Sequence, residues 1–197
     1  MYPFAHLYVA EKHFGKLTNE IAAGSVAPDF LALFPNFTFE ETHKTLINYE
    51  DSDFKEAYNL HIAVDEFTEL GYCYQLAPKS IKREVGEHRA HLFIEAAFDN
   101  IMWTNGLFFD PPKFEKKDIQ NLENYFDKYL CCWKLTNLID VWGKNYSRFL
   151  INSLILYNMK HFQVFADKDI NDRIDYCVDI LQNQKHSIED ILEKINF

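Results

Sequence analysis

Apolar side chains in this chain recur at spacings of three and four residues far more often than at two, and only six glycines and six prolines interrupt them. A period near 3.6 gathers such residues on one face of a helix, whereas a half-buried strand needs period two. The pattern predicts an all-α fold with helices at about 3–15, 27–34, 40–50, 53–71, 80–103, 116–131, 134–160, 168–183 and 187–195. "GLFFDPPKF" (106–114) is the clearest break, because Pro111 and Pro112 cannot continue a helix and bias the residue before them toward extended geometry. A chain of 197 residues, 48% of them hydrophobic, can bury one sizeable core. The expectation is therefore a single-domain multi-helix bundle over residues 1–197, with a histidine-rich half at about 1–105 and an aromatic half at about 113–197.

Thirty acidic against twenty basic residues give a formal charge of -10, which repels nucleic acid and anionic surfaces over most of the molecule. Nucleic acid is not expected as a partner. Cys73, Cys131, Cys132 and Cys177 form no C-x2-C pair and read as small core residues of a reducing compartment. "MYPFAHLYVAEKHFGK" has no basic leader, and no stretch reaches the length of a membrane helix. A cytoplasmic location without stable membrane insertion is the expectation; the sequence leaves the oligomeric state open.

Six of the eight histidines, His6, His13, His43, His61, His88 and His91, fall in the first 91 residues, so metal or acid-base chemistry belongs there. In "HIAVDEFTEL" (61–70), His61, Asp65 and Glu69 lie along one helical stripe beside apolar Ile62 and Val64. In "EHRAHLFIEAAFDN", His88, His91, Glu95 and Asp99 are spaced three, four and four. Two imidazoles and a carboxylate so spaced can meet one cation, and neutral histidine and carboxylate are ordinary ligands of Zn2+ and Fe2+. The bland account is a solvated stripe, or a core histidine bonded to a carboxylate. The His186–Asp190 pair has that kind of explanation, since Ser187 and Asp190 form a helix-capping pattern. No G-x-S-x-G, phosphate-loop or dinucleotide fingerprint occurs, which disfavours covalent catalysis. "YFDKYLCCWKLTNLIDVWGKNYSRFLINSLILYNMKHF" in the second half reads as core packing rather than a lipid pocket.

Taken in order, "FAHLYVAEK", "AAGSVAPDF", "ETHK", "HIAVD" and "HRAHLFIE" resemble the zinc-dependent phospholipase C family, over roughly residues 3–100. The resemblance implies an all-helical fold of the phospholipase C/nuclease type, one to three zinc ions (with Mn2+ or Fe2+ able to substitute), and hydrolysis of a small phosphoester or lipid-like substrate. It implies ligand roles for His6, Asp29, His43, His61, Asp65, His91 and Glu95, with Asp65 bridging. Asp29 and Glu69, the latter one helical turn beyond Asp65, are the candidates for proton handling, and Glu66 reads as a surface charge. The family carries a further histidine soon after the bridging aspartate. Here "EFTELGY" has none, and His88 is the nearest substitute.

"AHLYVA", "PDF", "HIAVDEFTE" and "FIEAAFDN" also resemble the acyl carrier protein phosphodiesterases, most closely in the D-x-F-T-[DE] run. The arginine and the H-P pair of that family are missing, since Ile62 follows His61 and Gly71-Tyr72 follow the run. Both resemblances imply phosphodiester cleavage, and they differ in substrate. A helical protein that holds a metal without catalysis is the third expectation.

Overall fold

In α1 (Pro3–Phe14) the chain begins with a proline at the first helical position, where a missing N–H costs nothing. The next two amides, of Phe4 and Ala5, donate at 3.2 and 2.9 Å to the carboxylate of Asp99. A buried carboxylate at a helix N-terminus satisfies orphan donors and opposes the positive end of the dipole. Asp99 is thus employed in holding α1, and its place on the stripe below His88, His91 and Glu95 has this structural cause.

The computed structural model describes residues 3–34, 36–49, 52–107, 109–130, 167–187, 189–190 and 193. After α1 come α2 (Asn19–Ala32), α3 (Phe39–His43), α4 (Asp53–Phe67), a π-helical turn (Thr68–Tyr72), α5 (Cys73–Leu76), α6 (Lys79–Val85), α7 (Glu87–Thr104), α8 (Lys116–Phe126) and α9 (Asp167–Asn183). The fold is all-α, with no strand among the described residues. The helix expected at 134–160, Cys131 and Cys132 lie outside the described residues, and the one expected at 187–195 is described only in part.

Packing groups the chain into two compact units that interleave in sequence: Met1–Ala5, Glu66–Phe108 and Gly143–Phe197 in one, His6–Asp65 and Phe109–Trp142 in the other. In the second, α2 is buried along almost its whole length through Ile21, Ala22, Ala23, Gly24, Ser25, Val26, Ala27, Pro28, Phe30 and Leu31. Small side chains let α4 approach closely: a Cβ on Gly24 would run into the carbonyl oxygen of Phe54 and the side chain of Ala57. Tyr58 of α4 donates to the carbonyl of Thr42 at 3.1 Å, and Asn59 pairs with both backbone groups of Ile47 at 2.9 and 3.1 Å. Lys128, just past α8, reaches both oxygens of Glu41 on α3 at 2.6 Å.

In the other unit, Phe93, Ile94, Ala97 and Phe98 of α7 are buried, as are Ile170, Ile174, Cys177 and Leu181 of α9, which packs against it. Arg173 pairs with Glu84 at 2.7 Å, and Tyr72 meets His186 at 3.1 Å. Cys73 and Cys177 are buried free thiols, and burial pushes Cys177 up to about 12, so it stays a protonated core residue.

Three departures from the sequence pattern have physical reasons. The helix expected at 27–34 begins at Asn19, capped by Thr18, whose side chain accepts the Ile21 amide at 3.2 Å. The 40–50 helix stops at His43, and the following chain is instead pinned by Asn59 and by Tyr125, which donates to the Leu46 carbonyl at 3.1 Å. The 80–103 helix is two, because Gly86 takes φ of +87°, which ends α6 before α7 begins.

Candidate metal centre

Four helices of one unit supply the five central side chains: His6 from α1, Asp29 from α2, His43 from α3, and His61 with Asp65 one turn apart on α4. His6 Nε2 lies 3.1 Å from Asp65 Oδ1, and His61 Nε2 lies 3.1 Å from Asp65 Oδ2. His43 Nε2 is 3.4 Å from Asp29 Oδ1 and 3.8 Å from Asp65 Oδ2, and His61 Nε2 is 4.0 Å from Asp29 Oδ1. Donors bound to one tetrahedral zinc at about 2.0–2.1 Å stand about 3.3 Å apart, so these separations suit a common cation. Among the described residues, two groups lie within 4.8 Å in their donor atoms: His6, His61 and Asp65, and Asp29, His43 and His61. The two groups share His61.

The orientation of the imidazoles is set by their far nitrogens. His61 Nδ1 is 2.7 Å from the backbone carbonyl of Ser25, which can only accept, so Nδ1 carries the proton and Nε2 points at the carboxylates. His43 Nδ1 is 2.7 Å from Thr42 Oγ1. That hydroxyl also lies 3.3 Å from the carbonyls of Thr38 and Phe39, so its own proton goes to a carbonyl and its lone pair receives Nδ1–H. Such outer partners fix the tautomer of a ligating histidine. The α2 turn that presents Ser25 contains Pro28, which deletes the N–H that would bond the Gly24 carbonyl. The α3 turn that presents His43 is held by a capping box, with Thr38 N–H donating to Glu41 at 2.8 Å and Glu41 N–H to Thr38 at 3.3 Å.

Three of the polar atoms aimed inward are not otherwise satisfied. His6 Nε2, His61 Nε2 and Asp29 Oδ2 are buried without a hydrogen bond of proper geometry. Buried polar atoms left this way call for an explanation, and a cation supplies one. His6 and His61 stack face to face, 3.6 Å between centroids at 13°. Burial, reinforced by repulsion from His61, lowers His6 to about 3 and keeps it neutral. Burial also works against charge on His61, but the Asp65 and Asp29 carboxylates together outweigh it and raise the group. Burial would push Asp29 and Asp65 up; hydrogen bonding and nearby positive charge prevail, from His43 first for Asp29, and hold both below the usual carboxylate range. The centre is a pocket of carboxylate oxygen and imidazole nitrogen, the donor chemistry of Zn2+, Mn2+ and Fe2+.

The structure therefore brings together His6, Asp29, His43, His61 and Asp65. His91 and Glu95, with Glu95 buried, belong to neither group among the described residues. The side chains of His88 and Glu69 lie outside the described residues, and Glu66 is exposed. Ser25 and Thr42, which orient His61 and His43, carry no ligand signature in the sequence. The T-x2-E spacing of Thr38 and Glu41, a capping-box pattern, is the sequence signal that could have shown how His43 is held. No family model, curated protein or solved structure matches this chain.

Proposed function

We propose that this chain is a metal-dependent hydrolase, phospholipase C-like in chemistry, acting on a small phosphoester at the His6/Asp29/His43/His61/Asp65 centre, with zinc as the metal. The observation that carries the proposal is the convergence of three imidazoles and two carboxylates, with His6 Nε2, His61 Nε2 and Asp29 Oδ2 buried and lacking a hydrogen bond of proper geometry. A divalent ion held there would lower the pKa of a bound water toward neutrality and neutralise phosphate oxygens. The chain's own groups divide the remaining work. His61, His43 and Asp65 bind, with their rings locked by Ser25 and Thr42. Asp29, the most exposed of the five side chains at 12%, can take up a proton at the open side. Glu69, one turn beyond Asp65, is the second candidate for that role.

The near-complete burial of His6, His61 and Asp65 supports a second reading, in which the ion is structural and no turnover follows. Metal analysis of protein purified without a histidine tag, followed by hydrolysis of bis-nitrophenyl phosphate, separates the two. The expected outcome is about one ion per chain and activity rising through pH near 7, the ionisation range of zinc-bound water. Asp65→Asn should abolish turnover, and Glu69→Gln should lower it well below Glu66→Gln. Full occupancy with no turnover of any phosphoester leaves the structural ion standing. Turnover of a choline phospholipid or release of phosphopantetheine from a carrier protein would distinguish the two family resemblances.

A further inference from the structure

Exposure across the five donors is graded: His61 0%, His6 1% and Asp65 3%, against His43 7% and Asp29 12%. A ligand from solvent therefore reaches the centre on the His43–Asp29 side. Phe39, one turn before His43 on α3, lies with its ring almost parallel to the imidazole, 4.7 Å between centroids at 11°. Yet Phe39 is 49% exposed. One face of the ring is seated against His43, and a large apolar surface beside a polar centre is left to solvent. Lys44, the residue after His43, is exposed and holds its ammonium over the Phe39 ring, 5.9 Å from the centroid, on a flexible stem that can swing aside. Of the acidic neighbours on α3, Glu41 is engaged by Lys128 and Thr38, while Glu40 is exposed.

We propose that Phe39 and Lys44 form the recognition edge of the candidate metal centre and select a phosphoester anion carrying a planar aromatic group. The proposal rests on the preceding functional reading for the phosphoester. It adds the class of substituent. Stacking on His43 fixes the Phe39 ring before any ligand arrives, so its outer face is pre-organised. A single flat face can cover one face of a ring, whereas an alkyl chain needs apolar walls on several sides to leave water. Lys44, on a flexible stem at the same edge, supplies positive charge to a phosphate in a molecule of formal charge -10.

The test uses the full chain loaded with Zn2+ and two non-hydrolysable probes, phenylphosphonate and methylphosphonate, with binding measured by calorimetry and metal content measured in parallel. Wild type should bind phenylphosphonate about tenfold more tightly than methylphosphonate, the scale of one aromatic stack. Phe39→Ala and Phe39→Leu should bring the ratio near one with metal content unchanged, and Phe39→Tyr should preserve it. Lys44→Gln should weaken both probes alike. A wild-type ratio near one, or a ratio unaffected in both Phe39→Ala and Phe39→Leu, overturns the proposal. Aryl preference without turnover of bis-nitrophenyl phosphate would sink the hydrolase reading and leave the recognition edge. Turnover without aryl preference would do the reverse.

Discussion

Thr42 illustrates how much of this centre depends on residues that would never touch a ligand. It is fully buried, its hydroxyl receives His43 Nδ1–H, and its carbonyl accepts from Tyr58. Thr42→Val keeps the shape and the carbonyl and removes only the partner of His43. Loss of such an outer hydrogen bond typically costs about 10–100-fold in metal affinity. Competition with a chromophoric chelator should show that drop while the far-ultraviolet circular dichroism is unchanged; an unaltered affinity would remove Thr42 from the account. At this scale the sequence was informative about residue types and poor about partners. His6, Asp29, His43, His61 and Asp65 stand out as ligand chemistry. The carbonyl of Ser25 leaves no mark, because every residue has one.

At the scale of elements, the approach of α2 to α4 sets the distance between Asp29 and the His61–Asp65 pair. Gly24 is what permits it, since a Cβ there would meet the Phe54 carbonyl, a backbone atom that cannot rotate away. Gly24→Ala should destabilise the protein by about 1–3 kcal/mol, the usual range for overpacking. It should also disturb the neighbouring Ser25–His61 bond, so denaturant melts and metal content should fall together. Wild-type values for both would refute the close-approach argument. The same helix shows why sequence reading fell short. "IAAGSVAP" is buried on all sides and rich in small residues, so it presents no apolar stripe for periodicity to detect. α4, with a polar face, was legible from its first residue, and α7 at its C-terminal end. Gly86 was not, because a glycine inside a helical pattern is often tolerated, and only its φ of +87° reveals the break.

For the molecule as a whole, acid is the informative perturbation. Glu41 is held at about 2 against an ordinary value of 4.5, first by Lys128 and then by the amide and hydroxyl of Thr38. A carboxylate depressed in the folded state stabilises fully above its unfolded value and loses that contribution as pH falls through the folded one. Its share of stability is therefore present at neutral pH and disappears between about 4.5 and about 2. Glu41→Gln should flatten the dependence of chemical-denaturation stability on pH in that window, and parallel curves for the two proteins would contradict the assignment. No described helix is long and apolar enough to cross a membrane. The stacked imidazoles of His6 and His61 add a consequence for anyone handling the protein. Two buried rings 3.6 Å apart disfavour charge on both: His6 is kept neutral while Asp65 favours an added proton on His61, beside the place a divalent cation would take. For the proposed metal, acid and cation would be rivals for one seat, and occupancy would become a record of a sample's history. A batch carried through an acidic step and one kept neutral would be, in their interiors, two different preparations of the same chain.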